Sequence, residues 1–277
     1  MHRMPCLRWF VTIAMIRTMS QPVPNPAIRP AVLLEDARVI VASKPAGVVT
    51  EPGLGHRDDS LMNGLFAVYA RDLAQLGEAR DWGLVHRLDR DASGAVVVAR
   101  DAAAYDRLRA QFAGRTVGKR YLTLVEGRPP TKTGEITLPI EEARRGDMKV
   151  ALVRRGGGGP AVEHAITRWR TLGTGHGRTL LEVDLETGRL HQIRAHMAEL
   201  GCPVVNDRVY RVDLPPNTSR PPKGRPPQPI ALHAWTISFD HPATGARTTV
   251  TDPLPAFLTE LLRSAGIASP PAPQPPA

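Results

Sequence analysis

Two cysteines in 277 residues, Cys6 and Cys202, stand too far apart to read as a disulfide framework or a metal-ligand cluster. A reducing compartment is the simplest setting for such a chain, so a cytoplasmic location is expected. Long hydrophobic runs are also missing. The longest near the start, Trp9 to Ile16, is too short to span a bilayer, and no membrane association is expected. The first 34 residues contain no Asp or Glu but do contain Arg3, Arg8, Arg17 and Arg29. That bias would suit a transit peptide, yet Arg17 interrupts the apolar run and no small-residue cleavage site follows it. Residues 1–30 are therefore expected to be disordered, or to lie upstream of the true start, for which Met19 is a sensible initiator. No phosphate-cradling loop is present either. Gly156 to Gly159 is a Gly run without the following Lys-Ser or Lys-Thr, which argues against nucleotide hydrolysis. His86, His191 and His196 have no carboxylate or cysteine cluster beside them. The last two are five residues apart, so they do not share a helix face as paired ligands would. Neither a metal nor another cofactor is expected.

What the chain does have is positive charge. Lys plus Arg number 36 against 27 for Asp plus Glu, a formal charge of +9. That surplus suits a polyanion such as nucleic acid, whose counterions are released on binding, although a merely soluble basic protein has the same composition. Hydrophobic residues make up 42%, enough for a substantial core. Val39 to Ala42, Ala95 to Ala99 and Tyr121 to Val125 have strand character. Leu181 to Glu186 alternates as a half-buried strand and ends at a Thr187-Gly188 turn. Asp101 can cap a helix with Tyr105, Leu108 and Phe112 on one face and Gly114 as its stop. A second helix is expected over roughly Leu190 to Leu200, with Leu190, Ile193, Met197 and Leu200 as its apolar stripe and Gly201 at its end. Few helices between separated strands suggest an α+β fold. The stretch 215–229 carries seven prolines and reads as a solvated loop. One domain over residues 31–262 is expected, followed by a Pro-rich disordered tail at 263–277.

The most telling stretch is His86-Arg87-Leu88-Asp89-Arg90-Asp91-Ala92-Ser93-Gly94. It sets Asp89 between two arginines beside a turn. Such a carboxylate is either a salt-bridged structural residue or a reactive nucleophile or base. If buried it needs a partner cation. Arg194, at the border of the second helix's apolar stripe, is the best candidate and could fork onto a carboxylate. Tyr121 follows Lys119 and Arg120, a pattern that would let the ring stack on a base while the cations hold phosphate, or simply place a tyrosine in the core.

These stretches together resemble the RluA-type RNA pseudouridine synthases. His86-Arg87-Leu88-Asp89 with Ser93-Gly94 is similar to that family's catalytic motif. Lys119-Arg120-Tyr121 resembles its basic-x-Tyr segment, and Thr187-Gly188-Arg189-Leu190-His191-Gln192-Ile193-Arg194 its third hallmark. The likeness runs from about residue 32 to 257. Ala92, Ser43 and Asn206 depart from the usual threonine, asparagine and glycine without removing a functional group. The resemblance implies the pseudouridine synthase catalytic fold, a mixed, mostly antiparallel sheet flanked by helices and loops. It implies a cofactor-free isomerase that turns uridine into pseudouridine in ribosomal or transfer RNA. Asp89, Arg194 and Tyr121 would be catalytic; Arg87, Arg189, Lys119 and Arg120 would contact RNA, Arg87 by filling the gap left by the flipped base. A stem-loop substrate and a monomeric enzyme are expected. Two other classes remain possible at this point: a non-catalytic RNA-binding or ribosome-assembly protein, and a metal-dependent nuclease.

Overall fold

The structure is a computed structural model and describes residues 21–156, 159, 161–210, 228–271 and 273. Cys6, Met19 and most of the Pro-rich stretch at 215–229 lie outside the described residues. Among those described, no helix is long and apolar enough to cross a membrane.

The chain begins with β1 (Ala31–Glu35) and β2 (Val39–Lys44), then α1 (Leu61–Leu76), a 3-10 turn at Glu78–Gly83, β3 (Ser93–Ala99), α2 (Ala102–Ala113) and β4 (Gly118–Glu126). It continues through β5 (Thr133–Ile136), β6 (Ile140–Arg145), β7 (Met148–Val153), β8 (Val162–Glu163), β9 (Thr167–Gly175) and β10 (Arg178–Leu185). It closes with α3 (Gln192–Glu199), β11 (Leu232–Asp240), β12 (Arg247–Thr251) and α4 (Ala256–Ser264). The main sheet runs β1-β2-β3-β11-β4-β10-β9-β5, with β12 also on β11, and β7-β6-β8 form a small second sheet. The fold is α+β, as expected. Among the described strands, every pairing is antiparallel except that of β3 with β11.

That parallel contact joins two halves, each with its own hydrophobic core. One gathers α1, α2, β2 and β3; the other gathers β4, β10, α3 and α4. Between β3 and β11 only His233 with Ser93 and Ala234 with Gly94 are in register, but the first core also takes in Ile237, Phe239 and Val250, and Gln111 of α2 bonds to the Asp240 backbone. Ala234 is also in register with Tyr121 on its other side, so Gly94, Ala234 and Tyr121 lie side by side across three strands. Gly94 has φ 128, and a Cβ there would come within 2.4 Å of the Ala234 backbone nitrogen and oxygen. Gly94→Ala would therefore combine backbone strain with an unavoidable clash. A loss of at least about 2 kcal/mol is expected, read as a lowered midpoint in urea unfolding. An unchanged midpoint would show that the two halves do not meet this closely.

Local sequence explains most elements. β3 is buried along its whole length, which accounts for its unbroken apolar run. In α2 Asp101 caps the Ala104 amide and Gly114 ends the helix, as its sequence suggests. The helix expected at Leu190 starts two residues later, because His191 adopts a left-handed conformation (φ 49) and leaves Leu190 in the preceding turn. Hydrogen bonds and burial extend beyond the expected domain limits at both ends. The Asn25 amide bonds to the Asn63 carbonyl, and Asn63 Nδ2 donates to the Val23 carbonyl, which ties part of the expected disordered head to α1. Near the other end Ile267 is buried, and its amide bonds to the Leu262 carbonyl, so the tail at 263–277 is packed at least that far.

Candidate active site

Asp89 lies in the loop entering β3, and that loop is held from several sides. The Thr50 hydroxyl donates to the Leu88 carbonyl (2.9 Å) and accepts from the Leu88 amide (3.1 Å). The Asp89 carbonyl accepts from the Ala92 amide (3.2 Å), closing a turn. Lys44, fully buried, donates to the carbonyls of Pro45 (2.9 Å), Val48 (2.6 Å) and Arg90 (3.0 Å). Burial pulls its ammonium down to about 7, against the pull of the nearby Asp89 and Asp91 charges. His86 serves the core. Its Nε2 accepts from the Val97 amide (2.9 Å), its ring stacks on Phe112, and burial, helped by the Lys119 charge, pushes it down to about 3. A neutral acceptor of this kind is a packing element.

Arg194 sits on α3 and is almost fully buried. Its Nη1 donates to Asp89 Oδ2 at 3.0 Å, bridging residues 105 apart in sequence. Its fork, however, is spent on another carboxylate. Nε donates to Asp207 Oδ2 at 2.6 Å and Nη2 to Asp207 Oδ1 at 3.2 Å. The sequence suggested a fork onto Asp89. Instead Asp207, itself without exposed surface, takes the bidentate edge, and Asp89 receives the one remaining donor edge. Burial opposes the guanidinium charge, but the hydrogen bonds and charges of Asp207 and Asp89 outweigh it and hold the group protonated. Asp207 is in turn anchored by the amides of Val209 (2.8 Å) and Tyr210 (3.3 Å). The Tyr210 ring lies 5.2 Å from the Arg194 guanidinium carbon.

Around this pair opens a cleft of about 610 Å³, walled by residues that include Glu51, Arg87, Asp89, Arg189 and His191. Arg87 is about half exposed and pairs with Glu51 at 2.9 Å. Arg189 donates to the His164 carbonyl and pairs with Glu163. The loop carrying Arg189 and His191 is fixed by Gln192, whose Oε1 accepts from the Arg189 amide and the Thr187 hydroxyl, and whose Nε2 donates to Ile166 and Thr167 on the β9 side. Tyr121 is half-buried where the two cores meet. Burial pushes its phenol well up, and the Asp89 charge adds to that. Lys119 is on the same face of β4 as Tyr121 and reaches the Thr187 carbonyl at 3.4 Å. Arg120 is not. Strand alternation turns it to the opposite face, where its Nε donates to Thr236 Oγ1 at 3.1 Å. The expected cluster at 119–121 is thus split by the pleat, and Arg120 is removed from the group around Asp89.

Three contributors had no role assigned from the sequence: Asp207, Tyr210 and Lys44. Asn206-Asp207 has a turn-forming composition, and Asn206 takes φ 67. Nothing in that local signal shows that the carboxylate turns inward to an arginine. Among the described residues no group of three or more His, Cys, Asp or Glu could hold a metal ion. What the site offers is a partly exposed carboxylate, oriented by a buried cation, in a cleft whose wall cations Arg87, Lys149 and Arg189 are each paired with a glutamate. Such a group can attack an electrophilic carbon or accept a proton.

The family model for RNA pseudouridylate synthase matches residues 38–199. Among similar proteins, an uncharacterized RNA pseudouridine synthase from Synechocystis is 37% identical over 233 residues, 83% of this chain and 67% of that one. The ribosomal large subunit pseudouridine synthase D of Pseudomonas aeruginosa is 39% identical over 241 residues, 84% of this chain and 71% of that one. Among solved structures, human RNA pseudouridylate synthase domain containing 4 aligns with a TM-score of 0.66 at 21% identity, covering 87% of this chain and 95% of that one. At that identity the likeness speaks for the fold.

Proposed function

The chain belongs to the RNA pseudouridylate synthase family, an isomerase family acting on RNA, and on that premise we propose that Asp89 performs the isomerisation of uridine. The observation that carries this assignment is the 3.0 Å contact between Asp89 and the buried Arg194, which opens onto the cleft.

The reaction breaks the bond between uracil N1 and ribose C1′, turns the base, and joins C5 to C1′. The C5 proton is lost and N1 gains one, so the product is an isomer of the substrate. Asp89 acts at the ribose, either attacking C1′ or taking the C2′ proton to form a glycal. Arg194 orients the carboxylate and, with its other edge on Asp207, cannot swing away from it. The target base must first leave its stack, at a cost of a few kcal/mol. Arg87, exposed at the cleft wall, fills the gap, and Tyr121 provides the surface for the flipped ring. Arg189 and Lys119 supply phosphate contacts. The enzyme acts as a monomer on a stem-loop. The relatives named as large subunit synthases favour ribosomal RNA as the substrate.

Site-resolved pseudouridine mapping of RNA from cells with and without the gene tests this. At least one uridine should lose its modification in the deletion strain, and an unchanged map would overturn the assignment. Arg87→Ala should slow conversion about tenfold at limiting RNA and leave the melting temperature within about 2 °C, since it breaks only an exposed ion pair with Glu51. An unchanged rate would remove Arg87 from the RNA contact.

A further inference from the structure

His191 occupies a position that the isomerisation scheme leaves unused. It stands between the last residue of the Arg189 turn and α3, and its Nε2 lies 3.9 Å from Asp89 Oδ2. Its other nitrogen, Nδ1, is 2.9 Å from the Tyr210 hydroxyl. That hydroxyl also accepts the Ala151 amide proton from β7 at 2.8 Å. A phenol has one proton to give. Among the described residues, the acceptor open to it is His191 Nδ1. If Nδ1 carried a proton instead, the phenol proton would have no acceptor among the described residues. The neutral ring must then bear its hydrogen on Nε2, pointing at Asp89. Burial favours that neutral state, pushing the imidazole below its ordinary range against the pull of Asp89. The Tyr210 ring is itself held, edge-on to His191 and beside Arg194.

We propose that His191 is a positioning residue that presents a fixed Nε2–H to Asp89, and that Tyr210 sets this tautomer. This rests on the reading of Asp89 as the reactive group. At 3.9 Å the contact is not a hydrogen bond in the free protein. Contacts of this kind tighten when substrate fills the site. Arg194 and His191 then both hold Oδ2, which leaves Oδ1 to meet the ribose in one orientation. The Ala151 amide connects this grip to the β6–β7 hairpin, whose Lys149 also lines the cleft.

Two substitutions separate positioning from simple backbone fit. His191 has φ 49, a conformation asparagine tolerates well. Asn therefore suits the backbone but has no atom that reaches the Nε2 position. Gln suits the backbone less well but places an amide N–H near that point. Single-turnover conversion at saturating RNA should fall roughly tenfold or more in His191→Asn and stay within about threefold of the parent in His191→Gln. An Asn variant as fast as the Gln variant would overturn the proposal. Nitrogen-15 NMR of histidine-labelled protein without RNA gives the second readout. His191 should appear as the Nε2–H tautomer, and Tyr210→Phe should convert part of it to the other form. An Nδ1–H tautomer in the parent would equally overturn the proposal. Because the tautomer is read without RNA, it can hold even if the parent protein modifies no uridine, an outcome that would instead count against the assignment of Asp89.

Discussion

Replacing Asp89 with asparagine should abolish pseudouridine formation and leave RNA binding nearly intact. The amide has almost the same volume, and its oxygen can still accept from Arg194 Nη1, so neither the loop nor the cleft has reason to move. What disappears is the charge. A neutral amide neither attacks C1′ nor takes a proton from C2′, so both routes fail together. A fall of at least about 10³-fold in single-turnover rate is expected, as for loss of other nucleophiles or bases. Release of tritium from C5-labelled uridine in RNA measures the chemistry, and filter binding measures affinity. Affinity should hold within about threefold, because the proposed RNA contacts are those of Arg87, Arg189 and Lys119, not of Asp89. Near-normal tritium release by this variant would remove Asp89 from the chemistry. The same experiment addresses the two other classes considered from sequence. A non-catalytic RNA-binding protein would release no tritium even with Asp89 in place. A nuclease would shorten the RNA in a manner blocked by a chelator.

The parts of this site that were legible in the sequence are those whose partners are also compact motifs. Asp89 and Arg194 each lie in a short, distinctive stretch, and a buried carboxylate needs a cation, so their pairing could be anticipated. Asp207 could not. It sits in an Asn-Asp turn whose local chemistry is complete by itself, with two backbone amides on the carboxylate. Its inward fork onto Arg194 depends on how that turn packs on α3. Lys119 and Arg120 show the opposite error. Adjacent cations read as one patch, and the β4 pleat sends them to different faces. In the fold, the sequence reading includes no helix at α1, whose first turn holds Asn63 and Gly64. One is explained by a local cap and the other by a tertiary contact. The Asn63 side chain completes a capping box with Ser60. A Cβ on Gly64 would come within 2.5 Å of the Ile28 carbonyl oxygen, which crosses the helix there. In the sequence, His191 reads only as a poor metal ligand. Its left-handed backbone and its Tyr210 partner are properties of the folded loop.

The Asp207–Arg194–Asp89 chain leads to the second large effect, and it falls on stability before catalysis. Arg194 and Asp207 are both almost wholly excluded from water. Removing one member of such a pair leaves the other buried and uncompensated, at a typical cost of about 3–5 kcal/mol. Asp207→Ala should show that loss in urea unfolding, since Arg194 would keep a single carboxylate, Asp89, that is itself partly exposed. Arg194→Lys should behave differently. The ammonium keeps the charge and can settle on Asp207, so the unfolding midpoint moves little. A single ammonium does not reproduce the fork and still span to Asp89, so the reactive carboxylate loses its orienting partner. Turnover should then fall by about 10²-fold with only a modest loss of RNA affinity. The two variants thus separate the halves of the guanidinium: the edge on Asp207 holds the fold, and the edge on Asp89 aims the chemistry. An Asp207→Ala protein within about 1 kcal/mol of the parent, or an Arg194→Lys enzyme at full rate, would break that division.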